Sequence, residues 1–78
     1  MNSYSPEKMV EAFKMLQCEV YIGKRRIKVE FPEDISDFYE RELKLAFKKA
    51  NHSLYKYLFK QVGYKLKNIG DDEVIRIL

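Results

Sequence analysis

The apolar period of this chain changes twice, and that change restricts the fold more than any single residue does. Ser5, Pro6 and Glu7 read as a helix N-cap, a first helical residue and a first-turn acid, and Met9, Val10, Phe13 and Leu16 then recur at helical spacing. A helix is expected over 6–17. From Cys18 the period drops to two. Cys18, Val20 and Ile22 share one side against Glu19 and Tyr21, and Ile27, Val29 and Phe31 alternate with Arg26, Lys28 and Glu30. That pattern is a β-hairpin with one buried face, closed by Pro32, which cannot donate to a continuing ladder.

Two registers are compatible with this hairpin. A two-residue turn at Gly23-Lys24 suits type II′, which wants Gly first, and sets Glu19 opposite Lys28. A four-residue loop from Gly23 to Arg26 keeps the same faces but sets Glu19 opposite Glu30. The like charges of the second arrangement favour the shorter turn.

The helical period returns after Asp34 or Ser36, either of which can cap a helix. Tyr39, Leu43, Phe47 and Ala50 form one stripe, whereas Leu54, Tyr55, Leu58, Phe59, Val62 and Leu66 centre on a stripe rotated from it by about 100°, at about 100° per residue. A straight helix would carry its apolar face away from the core. Asn51-His52-Ser53, three mediocre helix formers, mark the natural break. Two helices over about 36–50 and 53–67, or one long kinked helix, are therefore expected. Gly63 is a candidate for ending the second early. Gly70-Asp71-Asp72 reads as a turn, and 73–78 as a strand rich in β-branched residues that joins the hairpin. The fold class is α+β: helix, β-hairpin, two helices or one kinked helix, and a C-terminal strand, with a small three-stranded sheet packed on the helices.

At 78 residues the expectation is one domain over 1–78, burying roughly 60 to 65% of its unfolded surface, a thin core that a second copy would help. A homodimer is expected, with the apolar strand Val74, Ile75, Ile77, Leu78 as its pairing edge. The composition, 46% apolar and 35% charged with three Gly and two Pro, is that of a globular chain. No apolar run approaches the roughly 20 residues of a membrane span, MNSYSPEK does not resemble a signal peptide, and the single Cys18 agrees with a reducing, cytoplasmic setting.

Catalysis finds little support. One His and one Cys, with no motif joining them, do not make a nucleophile and base pair. His52 reads as a junction imidazole and Cys18 as a small core hydrophobe. Glu33, Asp34 and Asp37 are ordinary first-turn partners of a helix dipole. No phosphate loop, metal spacing or cofactor motif is present. The chain is not expected to be an enzyme or to carry a cofactor.

Charge distribution says more. Residues 41–70 hold eight Lys or Arg against one acid, Glu42, a local balance of +7, whereas 1–40 and 71–78 are each at −2. A solubilising face mixes signs, and this one does not. Two groups of cations stand out. Lys24, Arg25, Arg26 and Lys28 crowd the hairpin tip beside Tyr21, an aromatic on the polar face of the hairpin. Lys49, Lys56, Lys60 and Lys67 fall opposite the apolar stripes of the helices. Tyr21 among cations can stack on a base while they hold phosphates, or can pack under a cation in the protein itself. The expected function is that of a small basic regulator or accessory protein binding DNA or RNA through Lys24, Arg25, Arg26, Lys28, Tyr21, Lys49, Lys56 and Lys60. The alternative is a protein-interaction module, adaptor or inhibitor, that docks on an acidic partner.

Overall fold

A computed structural model of the chain describes residues 5–78. Ser5 caps the first helix, α1 (Pro6–Met15), its hydroxyl accepting from the Lys8 N–H. The end of α1 is less obvious in the sequence. Gln17 adopts φ 60°, the Cys18 N–H donates to the Phe13 carbonyl and the Gln17 N–H to that of Lys14. These are the paired bonds of a Schellman stop built on glutamine rather than glycine. Burial of both Phe13 and Cys18 supplies the apolar clasp that holds a non-glycine residue in the left-handed region.

Strands β1 (Glu19–Gly23) and β2 (Ile27–Glu30) form the hairpin, and β3 (Val74–Arg76) pairs antiparallel to β1 on its other side, giving the order β2-β1-β3. The register is the four-residue alternative: Glu19 faces Glu30, Val20 faces Val29, Tyr21 faces Lys28 and Ile22 faces Ile27. The expected two-residue turn is wrong for two physical reasons. Gly23 has no positive φ, which type II′ requires. It is instead the last residue of β1, where a Cβ would come within 2.9 Å of the Glu73 carbonyl oxygen, so glycine serves the close approach of β3. The like charges are also resolved locally. Glu19 accepts from the Tyr21 hydroxyl and lies 4.0 Å from Arg76 of β3, while Glu30 lies 3.2 Å from Lys28.

The remaining helix, α2 (Asp37–Leu66), is capped by Ser36, whose hydroxyl accepts from the Phe38 N–H. It is one long kinked helix, with Ala50 at φ −108° and ψ 16°. The break falls at the edge of the weak helix formers, and the Ser53 hydroxyl donates to the Ala50 carbonyl that the kink exposes. Leu43 before the kink and Leu54, Leu58 and Leu66 after it are thereby all buried. With Met9, Phe13, Cys18, Val20, Ile22 and Ile27 they form the core between the helices and one face of the sheet. Gly63 does not end the helix; it is a buried interior position.

Candidate nucleic-acid interface

The two groups of cations meet different surroundings. At the hairpin tip the Gly23 N–H donates to the Arg26 carbonyl at 2.8 Å, closing the loop. The Tyr55 hydroxyl of α2 is shared between the Gly23 and Lys24 carbonyls, which ties the tip to the second half of that helix. The turn before β3 packs against the same loop. The Lys24 ammonium lies 3.7 Å from the Asp71 carboxylate, and the Arg26 guanidinium donates to the Asp72 carbonyl at 3.0 Å. Lys24, Arg25, Arg26, Asp71 and Asp72 line a shallow depression of about 260 Å³. A phosphate approaching the tip meets carboxylates beside the cations, and Lys24 and Arg26 would have to leave existing partners.

Lys28 and Tyr21 are engaged on the outer face of the sheet. The Lys28 ammonium stands 5.8 Å from the centre of the Tyr21 ring as well as beside Glu30. The hydrogen bond from the Tyr21 hydroxyl to the Glu19 carboxylate holds the phenol above its ordinary value of 10.0, because deprotonation would set two anions against each other. The face of this ring thus has a cation, and its edge a carboxylate.

The second half of α2 differs. Of the eight bases in 41–70, only Lys44 forms an ion pair among the described residues, at 2.7 Å from Glu40. Lys56, Lys60 and Lys67 are exposed, and at about 100° per residue they fall within about 40° of one another, on the side away from buried Leu54 and Leu58. They span about 16 Å of helix axis at about 1.5 Å per residue. Lys49, also exposed, precedes the kink by one residue.

Two aromatics flank this lysine stripe, about 60 to 80° to either side. Tyr64 is 67% exposed and Phe59 45%. Phe59 continues the apolar stripe of α2, which by sequence alone places it in the core. Instead its ring stacks on Tyr55, at 5.9 Å between centres, and lies along the helix over Gly63, where a Cβ would sit 2.9 Å from Cε1 of the ring. A glycine four residues after a phenylalanine was the available signal: in a helix that spacing clears room on one face for a flat ring. Phe13 is buried as expected, and Phe31 and Phe47 pack half-buried against the core.

The other chemistry-bearing residues are placed apart. His52 is exposed beside the kink. Cys18 is 4% exposed, and burial pushes its thiol up from the ordinary 9.0. Among the described residues, no cluster of His, Cys, Asp or Glu has the geometry to hold a metal ion, and no helix is long and apolar enough to cross a membrane. Comparison of the chain with family models, with curated proteins and with solved structures finds no match.

Proposed function

We propose that the chain is a small nucleic-acid-binding accessory protein that holds the phosphate backbone on the second half of α2. The observation that carries this reading is the unpaired stripe Lys56, Lys60, Lys67 on one line of a packed helix. Cations with no internal partner give up no ion pair on meeting phosphate and release the counterions condensed there. The stripe is about 16 Å long at the rise of an α-helix, the length of about five phosphates of one strand at the duplex rise of about 3.4 Å and of fewer in an extended single strand. Tyr64 and Phe59 lie beside it at exposed positions, one ring face of each already in contact, with the Lys65 ammonium at 5.8 Å and with Tyr55 respectively; the other face of either can take an unstacked base, which favours single strands over duplex. The hairpin tip, which the sequence alone places first, takes a secondary part through Arg25, since Lys24 and Arg26 are held by the turn before β3.

The test is fluorescence anisotropy of labelled single-stranded and duplex oligonucleotides over a range of salt. Four contacts, from Lys49, Lys56, Lys60 and Lys67, contribute about −2.8 to the slope of log affinity against log salt on single strands, at about −0.7 per phosphate, and Arg25 adds up to about −0.7. Tyr64→Ala, at an exposed position, should weaken single-strand binding by about 1 to 3 kcal/mol and leave the slope unchanged. Absence of measurable affinity for DNA or RNA at low salt would overturn the reading.

A further inference from the structure

A groove of about 440 Å³ lies on another side of the molecule, between α1, the second half of α2 and β3. Its floor is apolar, with Val10 from α1, Leu58 and Val62 from α2, and Ile75 and Ile77 from the strand side. Its charged lining residues are Lys14, Lys65 and Arg76, and none of its lining residues is acidic. The volume falls within the range of about 300 to 1,000 Å³ typical of ligand sites.

The strand side of this groove is an edge. Four consecutive residues, Ile75, Arg76, Ile77 and Leu78, line it, although successive side chains of a strand point to opposite faces. A groove that meets all four therefore runs along the strand backbone. β3 is the last strand of the sheet on this side. The Ile77 N–H donates to the Val20 carbonyl at 2.8 Å, and Ile75 is in register with Ile22, so Ile75 and Ile77 turn their backbone groups toward β1. By the alternation of an antiparallel ladder, Val74 and Arg76 turn theirs outward, to the open edge.

We infer that this groove binds an extended acidic peptide segment of another protein, which adds to β3 as a fourth strand. Backbone bonds to Val74 and Arg76 fix its direction. Every second side chain faces the helices; along that face its apolar side chains settle on Val10, Leu58 and Val62, and carboxylates beyond them meet Lys14 and Lys65 at the rim. Neither lysine forms an ion pair among the described residues. The rim also discriminates against a second copy of this chain. A two-fold β3 pair would bring both sets of Lys14 and Lys65 to one seam with no acid among the groove residues, Arg76 being held by Glu19 and the Leu78 carbonyl, and like-charge juxtaposition opposes that.

The experiment uses the intact chain and three short synthetic peptides: one whose helix-facing alternate positions carry valine in the middle and glutamate at both ends, one with lysine replacing glutamate, and one of the acidic series with proline at the intervening positions. Affinity is read by fluorescence anisotropy and the site by amide chemical shifts. The acidic peptide should bind and shift Val10, Val62 and Arg76, while the lysine and proline peptides should bind at least about tenfold more weakly, having lost the charge match and the strand donors respectively. The double variant Lys14→Glu and Lys65→Glu, at exposed positions, should lose the acidic peptide and gain the basic one. The inference is overturned by equal affinity for all three peptides, by shifts confined to Lys56, Lys60 and Lys67, by insensitivity to the double variant, or by a dimer in sedimentation that the peptide does not dissociate. Oligonucleotide binding by α2 is a separate readout, so failure of one site leaves the other measurable.

Discussion

The hairpin tip and the second half of α2 carry similar numbers of cations, yet the fold treats them differently. The tip is a loop, and a loop needs its backbone groups satisfied and its position fixed. The Tyr55 hydroxyl and the turn at 70–73 do both, and in doing so bring Asp71 and the Asp72 carbonyl to Lys24 and Arg26. The helix satisfies its own backbone, so nothing needs to fold over its outer face. Its lysines remain unpaired because no element is required there. Cationic density along a chain is thus a poor guide to an available positive field; what decides is whether the segment needs a neighbour.

The hardest way to break this contrast is to remove the packing that holds the lysine stripe in place. Leu58→Ala should destabilise by about 2 to 5 kcal/mol and Phe13→Ala by about 3 to 5 kcal/mol, a large share of the stability of a small domain. Thermal or denaturant melts of both variants check this, and wild-type midpoints would show that the core is elsewhere.

Next comes the contrast itself. Lys56→Ala, Lys60→Ala and Lys67→Ala combined should flatten the single-strand salt slope by about 2.1, at about 0.7 per phosphate. Arg25→Ala with Arg26→Ala should flatten it by no more than about 0.7, because Arg26 is already held by Asp72. If the two sets of variants change the slope equally, the tip is as free as the helix. Asp71→Asn sharpens the same comparison: releasing Lys24 should steepen the slope.

A smaller effect tests the tie between the two regions. Tyr55→Phe removes the hydroxyl that reaches the Gly23 and Lys24 carbonyls and should cost about 0.5 to 1.5 kcal/mol. Amide exchange at Lys24 to Arg26 should accelerate more than exchange in α2. Uniform acceleration would mean that the loop and the helix open as one unit.

The smallest effect is a titration. The folded phenol of Tyr21 is raised above 10.0, so its contribution to stability is fully present below the unfolded value and is lost as pH rises through the folded value. Glu19→Gln removes the carboxylate and should bring the phenol back toward its ordinary value. The difference in tyrosinate absorbance between wild type and Tyr21→Phe follows this group among the six tyrosines. A Tyr21 that titrates normally in the wild type would show that the bond to Glu19 is not formed in solution.

Much of the architecture was legible in the residues because it rests on local rules. Ser5-Pro6-Glu7 starts α1, Ser36 starts α2, and the phase shift between Leu43 and Leu54 demands the break found at Ala50. The hairpin register was settled by partners far along the chain. The register turns on Glu73 crowding Gly23 and on Arg76 reaching Glu19, neither of which a two-strand comparison contains. Phe59 follows the apolar period, yet its exposure depends on Gly63 and Tyr55 sharing its face.

The sequence by itself determined the α+β class, the order of the elements, the caps and the concentration of base in 41–70, because periodicity, capping and charge are properties of neighbours in the chain. Only the tertiary structure decided which cations are neutralised, which aromatics are exposed, and that an apolar groove opens along the edge of β3. Arg26 and Asp72 are 46 residues apart and Tyr55 and Gly23 32, and electrostatic and packing energies depend on separation in space, which only the folded chain establishes.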